Sequence, residues 1–323
     1  MKDVKPNNLN GMRRQQFTEY YQEKLLPLLQ KQEEVRRKYL ARFFLLLGLA
    51  IIFYPLAVVL ALWLMTLCES ADVGPILLIS GLFVMLLYAP IHRYKKKVKN
   101  QIMPHFANFF GSFEYMYEQT IDSDILEQSK LFSDFTVNQG DDYFCGTYNG
   151  VKITIAEEKL QKPQDMAIMN VSYEHKRNIF TGVCILLEMN KNFTGQTVGL
   201  RDRGCLNVFC RPSGLNRVRL EDSRFEKIFE IYAENQIEAR YLLTTAFMER
   251  LIKLQQLYEG KSIQFSFKDN KLLIAISTRQ NMFETNSFFK SNLDRKTIDL
   301  AFEQFYNVCS IVDILKLNIR LGM

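Results

Sequence analysis

Three hydrophobic patterns follow one another along the chain: continuous apolar runs, then a helical period, then short alternating runs. Phe43 to Leu67 carries no charged side chain, and after the polar stretch Cys68 to Val73 a second uncharged run extends from Gly74 to Ile91. At a rise of about 1.5 Å per residue these runs reach roughly 37 Å and roughly 27 Å, against a hydrocarbon core of about 30 Å. Helices this apolar on every face leave no polar side for water, which argues against a helical hairpin inside a soluble protein. The pattern predicts a transmembrane hairpin with spans 43–67 and 74–91.

The flanks read as helix. Gln15 to Phe44 places Phe17, Tyr20 or Tyr21, Leu25, and Leu28 or Leu29 at near-helical spacing, interrupted at Pro27. An amphipathic cytosolic helix within 1–42 is expected, either lying on an interface or packed on the protein's own domain. Beyond the second span, Lys95 to Gln128 sets Ile102, Phe106, Phe109 or Phe110, Phe113 and Tyr117 on one side. A juxtamembrane helix over 92–128 is expected, with Pro104 and Gly111 as points of bending.

From about Ser129 the period shortens. Asp142 to Tyr148 and Val151 to Ile155 are strand-like runs joined by Asn149-Gly150, a dipeptide suited to a two-residue hairpin turn. Further strands are expected at Ile179 to Met189, Gln196 to Leu200 and Leu206 to Phe209, while Phe225 to Tyr232 fits either class. Thr244 or Thr245 can cap a helix carrying Phe247, Leu251, Leu254 and Tyr258, ended by Gly260. Ile263 to Phe267 and Lys271 to Ser277 form a second hairpin about Lys268-Asp269-Asn270. A last helix from Leu293 to Leu317 buries Ile298, Phe302, Phe305, Cys309 and Val312. Grouped strands with inserted and appended helices predict α+β with mainly antiparallel strands over 129–323. A small barrel closed by the last helix is one form of it.

Charge orients the hairpin. Lys31, Arg36, Arg37, Lys38 and Arg42 precede the first span and Arg93, Lys95, Lys96, Lys97 and Lys99 follow the second, whereas the turn holds only Glu69 and Asp72. Retention of Lys and Arg inside predicts cytoplasmic N- and C-termini and a cytosolic C-terminal domain. The polar stretch before the first run argues against a cleaved signal peptide. These flanking cations more than account for the net charge of +6, so the lipid bilayer is the expected partner and nucleic acid is not. Cys68, Cys145, Cys184, Cys205, Cys210 and Cys309 form no CxxC pair with histidine nearby, so neither a metal site nor a disulfide is expected. The sequons at Asn170 and Asn192 would stay unused in the cytosol.

Asp141 to Leu160, Phe180-Thr181-Gly182, Leu220-Glu221-Asp222 through Phe225-Glu226-Lys227, and Glu238 to Leu243 resemble a bacterial membrane family, the domain of unknown function three-one-three-seven. Asn281-Met282-Phe283-Glu284 extends the resemblance. It implies a two-span bacterial inner-membrane protein with a cytosolic domain, and it implies no activity and no catalytic residues. Read physically, Gly182 marks a bulge or a close backbone approach.

Candidate chemistry is sparse. No P-loop, no GxGxxG after a strand and no HExxH occurs, and no cofactor is implied. His92, His105 and His175 adjoin no nucleophile in sequence. Glu157, Glu158, Glu221, Asp222, Glu238 and Arg240 could assemble a site in space, and each equally suits a structural salt bridge. Arg201, Arg203, Arg211, Arg217 and Arg219 with Gly204 and Gly214 make the most distinctive polar stretch. Arginines give bidentate contacts to phosphate or carboxylate, so an anionic lipid headgroup is a candidate ligand. Pairing with Glu221 and Asp222 is the plainer alternative. Two spans without an ionisable residue offer no transport path in a monomer. The sequence leads to a membrane-anchored domain that binds a protein or an anionic headgroup without catalysis; the alternative is a membrane-tethered hydrolase. Exposed aromatic patches favour the first, and a deep pocket gathering His175, carboxylates and arginines favours the second.

Overall fold

A computed structural model describes residues 14–67, 73–168, 171–202, 212–258, 260–278, 281–284 and 288–317, with backbone alone for 165–168 and 171–175. The turn 68–72, the tail beyond 317 and the expected strand at Leu206 to Phe209 lie outside the described residues. The chain forms two compact units: residues 1–109 with 284–299, and residues 110–283 with 300–323.

The first unit is helical. Helix α1 (Arg14–Leu67) and helix α2 (Gly74–Ala107) are both long and apolar enough to cross a membrane. Leu45, Ile51, Ile52, Leu77, Leu78, Val84 and Met85 are exposed on them, a surface suited to hydrocarbon rather than to water. Tyr54 and Ser80 hydrogen-bond at 3.0 Å, and the Tyr54 ring meets Phe83 edge-on at 5.2 Å. The interruption expected at Pro27 takes the form of a π-helical turn at Tyr21–Leu25, and the helix continues through the proline. Proline withholds one amide from the ladder, and a widened turn just before it absorbs the mismatch. The stripe Phe17, Tyr21, Leu25 and Leu29 is buried. Phe17 packs edge-on against Phe106 and Phe109, and the Arg295 guanidinium lies 4.0 Å from the Tyr21 ring centroid. The amphipathic face is therefore covered by the chain itself.

Two of the basic flank residues do not stand free for lipid. The Arg36 side chain is buried against Glu33, and Lys99 is buried with its Nζ 3.3 Å from Glu284. Carboxylates from this unit hold them in place.

The juxtamembrane helix expected through Gln128 ends at Ala107 instead. Strand β1 (Ser112–Tyr117) follows, then a single short helix, α3 (Ser123–Gln128). Phe113 and Tyr117 fit a helical face and, together with Tyr115, also fit period two, and pairing with a distant strand decides between them.

Among the described residues the second unit is built on nine strands. Besides β1 these are β2 (Val137–Tyr148), β3 (Val151–Ile168), β4 (Val171–Glu188), β5 (Thr197–Arg201), β6 (Asn216–Val218), β7 (Phe229–Ala233), β8 (Ile263–Lys268) and β9 (Lys271–Ser277). Their order is β1-β2-β3-β4-β9-β8-β5-β7-β6, with every described pairing antiparallel. Among the described strands β1 and β6 stand at the two edges, and no described pairing closes the sheet into the small barrel. Asn149 and Gly150 both have positive φ, 47° and 78°, as the primed turn between β2 and β3 requires. The ambiguous stretch at 225–232 splits into the end of helix α4 (Ser223–Glu226) and the start of β7. Helices α5 (Gln236–Leu242) and α6 (Thr245–Leu257) follow, the latter capped by the Thr244 hydroxyl accepting from the Phe247 amide.

Helix α7 (Arg295–Leu315) runs from the first unit into the second, and the five apolar positions read for it are all buried. Phe305 meets Phe113, Phe144 and Phe283 at 5.4, 4.9 and 5.6 Å. A second apolar cluster joins Leu126, Leu131 and Phe135 to Ala156, Leu160, Phe180 and Val198. At Gly182 a Cβ would stand 2.1 Å from the Ile276 carbonyl oxygen, so the close approach read from the sequence is real.

Candidate functional site

A cleft of about 730 Å³ lies in the second unit. Its floor carries Leu200 from β5, Glu230 and Tyr232 from β7, and Gln264 from β8. Leu200 and Glu230 are cross-strand neighbours, and Tyr232, two residues on, shares the face of Glu230. Phe132 and Phe180 form an apolar wall, their rings 4.8 Å apart. Lys130, Arg177 and Arg201 stand at the rim, the two arginines exposed. Lys130 has φ 57°, a backbone bend just after α3 that starts the segment leading to Phe132.

Of the three arginines singled out by the sequence that are described, Arg201 lines this cleft and Arg217 and Arg219 do not. Arg217 on β6 donates from Nε to Glu230 Oε1 at 2.8 Å, rather than to Glu221 or Asp222. Arg219 is exposed, and its carbonyl accepts from Arg240 at 3.5 Å. Arg203 and Arg211 lie outside the described residues. Sequence reasoning missed Arg177, Lys130 and Glu230. Glu230 had a signal: it is the single acid in a strand of otherwise apolar residues, Phe229–Ala233, all buried.

Four of the five carboxylates considered for catalysis hold backbone. Asp222 caps α4 by accepting from the Arg224 and Phe225 amides, and also pairs with the Arg224 guanidinium at 2.9 Å. Glu238 accepts from the Thr194 and Gly195 amides at 2.9 and 2.7 Å. Glu157 accepts from the Met282 amide. Glu158 accepts from the Ile121 amide at 2.6 Å, its other oxygen is buried without a hydrogen-bond partner among the described residues, and burial pushes its carboxyl up to about 8. The Asp222 carboxyl is held low, first by its hydrogen bond to Arg224.

A bulge between Gly140 and Tyr143 sets Asp141 and Asp142 together opposite Glu157. The three carboxylates lie within 4.8 Å of one another. Tyr115 donates to Asp142 at 2.7 Å and Asn281 to Asp141 at 3.2 Å. Burial, and then the Asp142 charge, raises the Tyr115 phenol well above its usual range. The cluster thus faces donors from β1 and from the segment after β9.

His92 stacks on Tyr88, the carbonyl of His105 accepts from the Tyr20 hydroxyl, and the His175 side chain lies outside the described residues. Cys184 and Cys309 are buried, Cys145 is partly covered, and the remaining three cysteines lie outside the described residues. The cleft gathers arginines and carboxylates, and no histidine or cysteine lines it among the described residues.

Residues 178–317, from the inner half of β4 through α7, match the model of a protein family of unknown function, DUF3137. The resemblance read from the sequence holds over that stretch. Among curated proteins none matches the chain. A solved structure, that of the mycobacterial trehalose monomycolate transport factor A, TtfA, aligns with 65% of this chain and 92% of its own at 12% identity and a TM-score of 0.34.

Proposed function

We propose that the protein is anchored in a bacterial inner membrane by α1 and α2, with both termini and the sheet domain in the cytoplasm. There the domain binds an anionic headgroup in the arginine-rimmed cleft without catalysing a reaction. The observation that carries this reading is the cleft itself, about 730 Å³ with Arg177, Arg201 and Lys130 at its mouth and aromatic side chains on its wall. Guanidinium groups match phosphate geometry, and the apolar wall suits the part of a lipid next to its headgroup. The structural duties of Asp222, Glu238, Glu157 and Glu158 support binding over hydrolysis, because carboxylates tied to backbone amides are poorly placed to move protons.

The test is calorimetric titration of the full chain in detergent with dihexanoyl phosphatidylglycerol. The double variant Arg177→Glu with Arg201→Glu is expected to weaken binding about tenfold or more. Equal binding by the variant overturns the reading. Topology is tested separately with a membrane-impermeant thiol reagent on intact cells, using single-cysteine variants at Cys68 and at Gln256, which is exposed on α6. Labelling at 68 alone is expected; labelling at 256 alone reverses the topology.

A further inference from the structure

We propose that the ligand of the cleft carries an ammonium and a phosphate together, as in an ethanolamine phospholipid, with the ammonium on Glu230 and the phosphate on Arg177 and Arg201. This rests on the reading that the cleft takes a lipid phosphate on its arginines, and it adds the chemistry that a phosphate alone does not explain.

The floor of the cleft holds a carboxylate. Glu230 is 7% exposed, and its Oε1 accepts from Arg217 Nε at 2.8 Å. Its Oε2 is buried and has no hydrogen-bond partner among the described residues. An ionised carboxylate taken out of water needs donors on both oxygens, and the missing donor is a cost that a ligand can remove. Arg217 supplies only one side, from a side chain that is itself 59% exposed. Glu127 and Asp134 also line the cleft. Asp134 is paired with Lys162 at 3.6 Å, so Glu230, with one oxygen unpartnered among the described residues, is the acid with capacity left for a cationic group, while the arginines take the phosphate.

A primary ammonium fits the floor. It brings three N–H donors and a compact charge, whereas a trimethylated ammonium brings the charge and no donor. Phosphate one short linker away reaches the guanidinium rim. Phe132, Phe180 and Leu200 then face the glycerol and the first methylenes. A cleft of this size lies within the usual range for small-ligand sites.

The test uses the full chain in detergent and three short-chain lipids with the same dihexanoyl tails: phosphatidylethanolamine, phosphatidylglycerol and phosphatidylcholine. Phosphatidylethanolamine is expected to bind about tenfold tighter than either of the others. Glu230→Gln is expected to erase that preference while phosphatidylglycerol still binds, and Glu230→Asp, which keeps the charge, to retain a preference. Circular dichroism melting of both variants shows that they are folded. Equal affinity for the ethanolamine and glycerol lipids, or a preference that survives in Glu230→Gln, overturns this inference and leaves the anionic-headgroup reading standing. Failure of all three lipids to bind overturns both. Glycerophosphoethanolamine, which lacks the tails, is expected to bind more weakly than the lipid; equal binding overturns the lipid as the source.

Discussion

Glu33 and Glu230 are both buried and both paired to an arginine, yet their surroundings differ. Glu33, in the first unit, accepts from Arg36 Nε at 2.9 Å and Nη2 at 2.6 Å, and from the Asn292 amide at 3.0 Å. Arg36 in turn donates from Nη1 to the Phe288 carbonyl. Both Glu33 oxygens are occupied, and the hydrogen bond from Arg36, more than any other contact, holds the carboxyl down to about 2. Glu230, in the second unit, has one oxygen held by an exposed arginine and the other buried without a hydrogen-bond partner among the described residues, in a residue that lines the cleft. A closed network locks elements together, whereas an open one leaves bonding capacity for something else.

The largest effect expected from this comparison is in the closed network. Arg36→Ala leaves the Glu33 charge buried and is expected to cost about 3–5 kcal/mol, seen as a lowered melting temperature of the full chain in detergent. A loss under about 1 kcal/mol would show that the network is dispensable. The same carboxyl gives an acid signature. Its folded pKa lies below its unfolded value, so its contribution is complete above about pH 4.5 and disappears as the pH falls towards 2. Glu33→Gln is expected to flatten the melting profile across that window.

Glu158 gives the next effect, with the opposite sign. Its folded pKa is raised to about 8 by burial, so the folded chain binds more protons and stability declines as the pH rises from about 4.5 through 8. Glu158→Gln keeps an acceptor for the Ile121 amide and carries no charge. It is expected to be near neutral at pH 5 and to stabilise by about 1–3 kcal/mol at pH 9. A pH-independent difference would remove the burial argument.

Glu230→Gln ranks below both, with an expected change in stability under about 1 kcal/mol, because the native carboxylate already lacks a partner on one oxygen. A loss as large as that of Arg36→Ala would make Glu230 a structural residue and end the contrast. Arg177→Glu with Arg201→Glu is the smallest, within about 0.5 kcal/mol in thermal stability, since both side chains are exposed. Its effect belongs to binding.

Much of the fold was legible because its signals are short-range. Asn149-Gly150 turns a hairpin, Asp269 and Asn270 adopt the positive φ of a second tight turn, and Thr244 caps its helix. The cleft was only partly legible. Arg201 was found through its arginine-rich neighbourhood, but Arg177 and Lys130 come from segments far away in the chain, and no local pattern marks them as neighbours.

Residue chemistry read locally was enough for the two apolar helices, the hairpin turns, the antiparallel α+β character and the buried stripe of α7, because each depends on neighbours a few positions away. Long-range pairing settled the rest. Residues 112–117 suit a helix or a strand, and only the ladder from Ser112↔Thr147 to Tyr117↔Asp142 chose the strand. Arg36 and Lys99 looked like free flank cations until Glu33 and Glu284 came within ion-pair distance. Glu230 and Arg201 were brought to one cleft by the register of β5 and β7. Contacts of this kind are set by how strands and helices meet across the fold, and that information is carried by the packing as a whole rather than by any one segment.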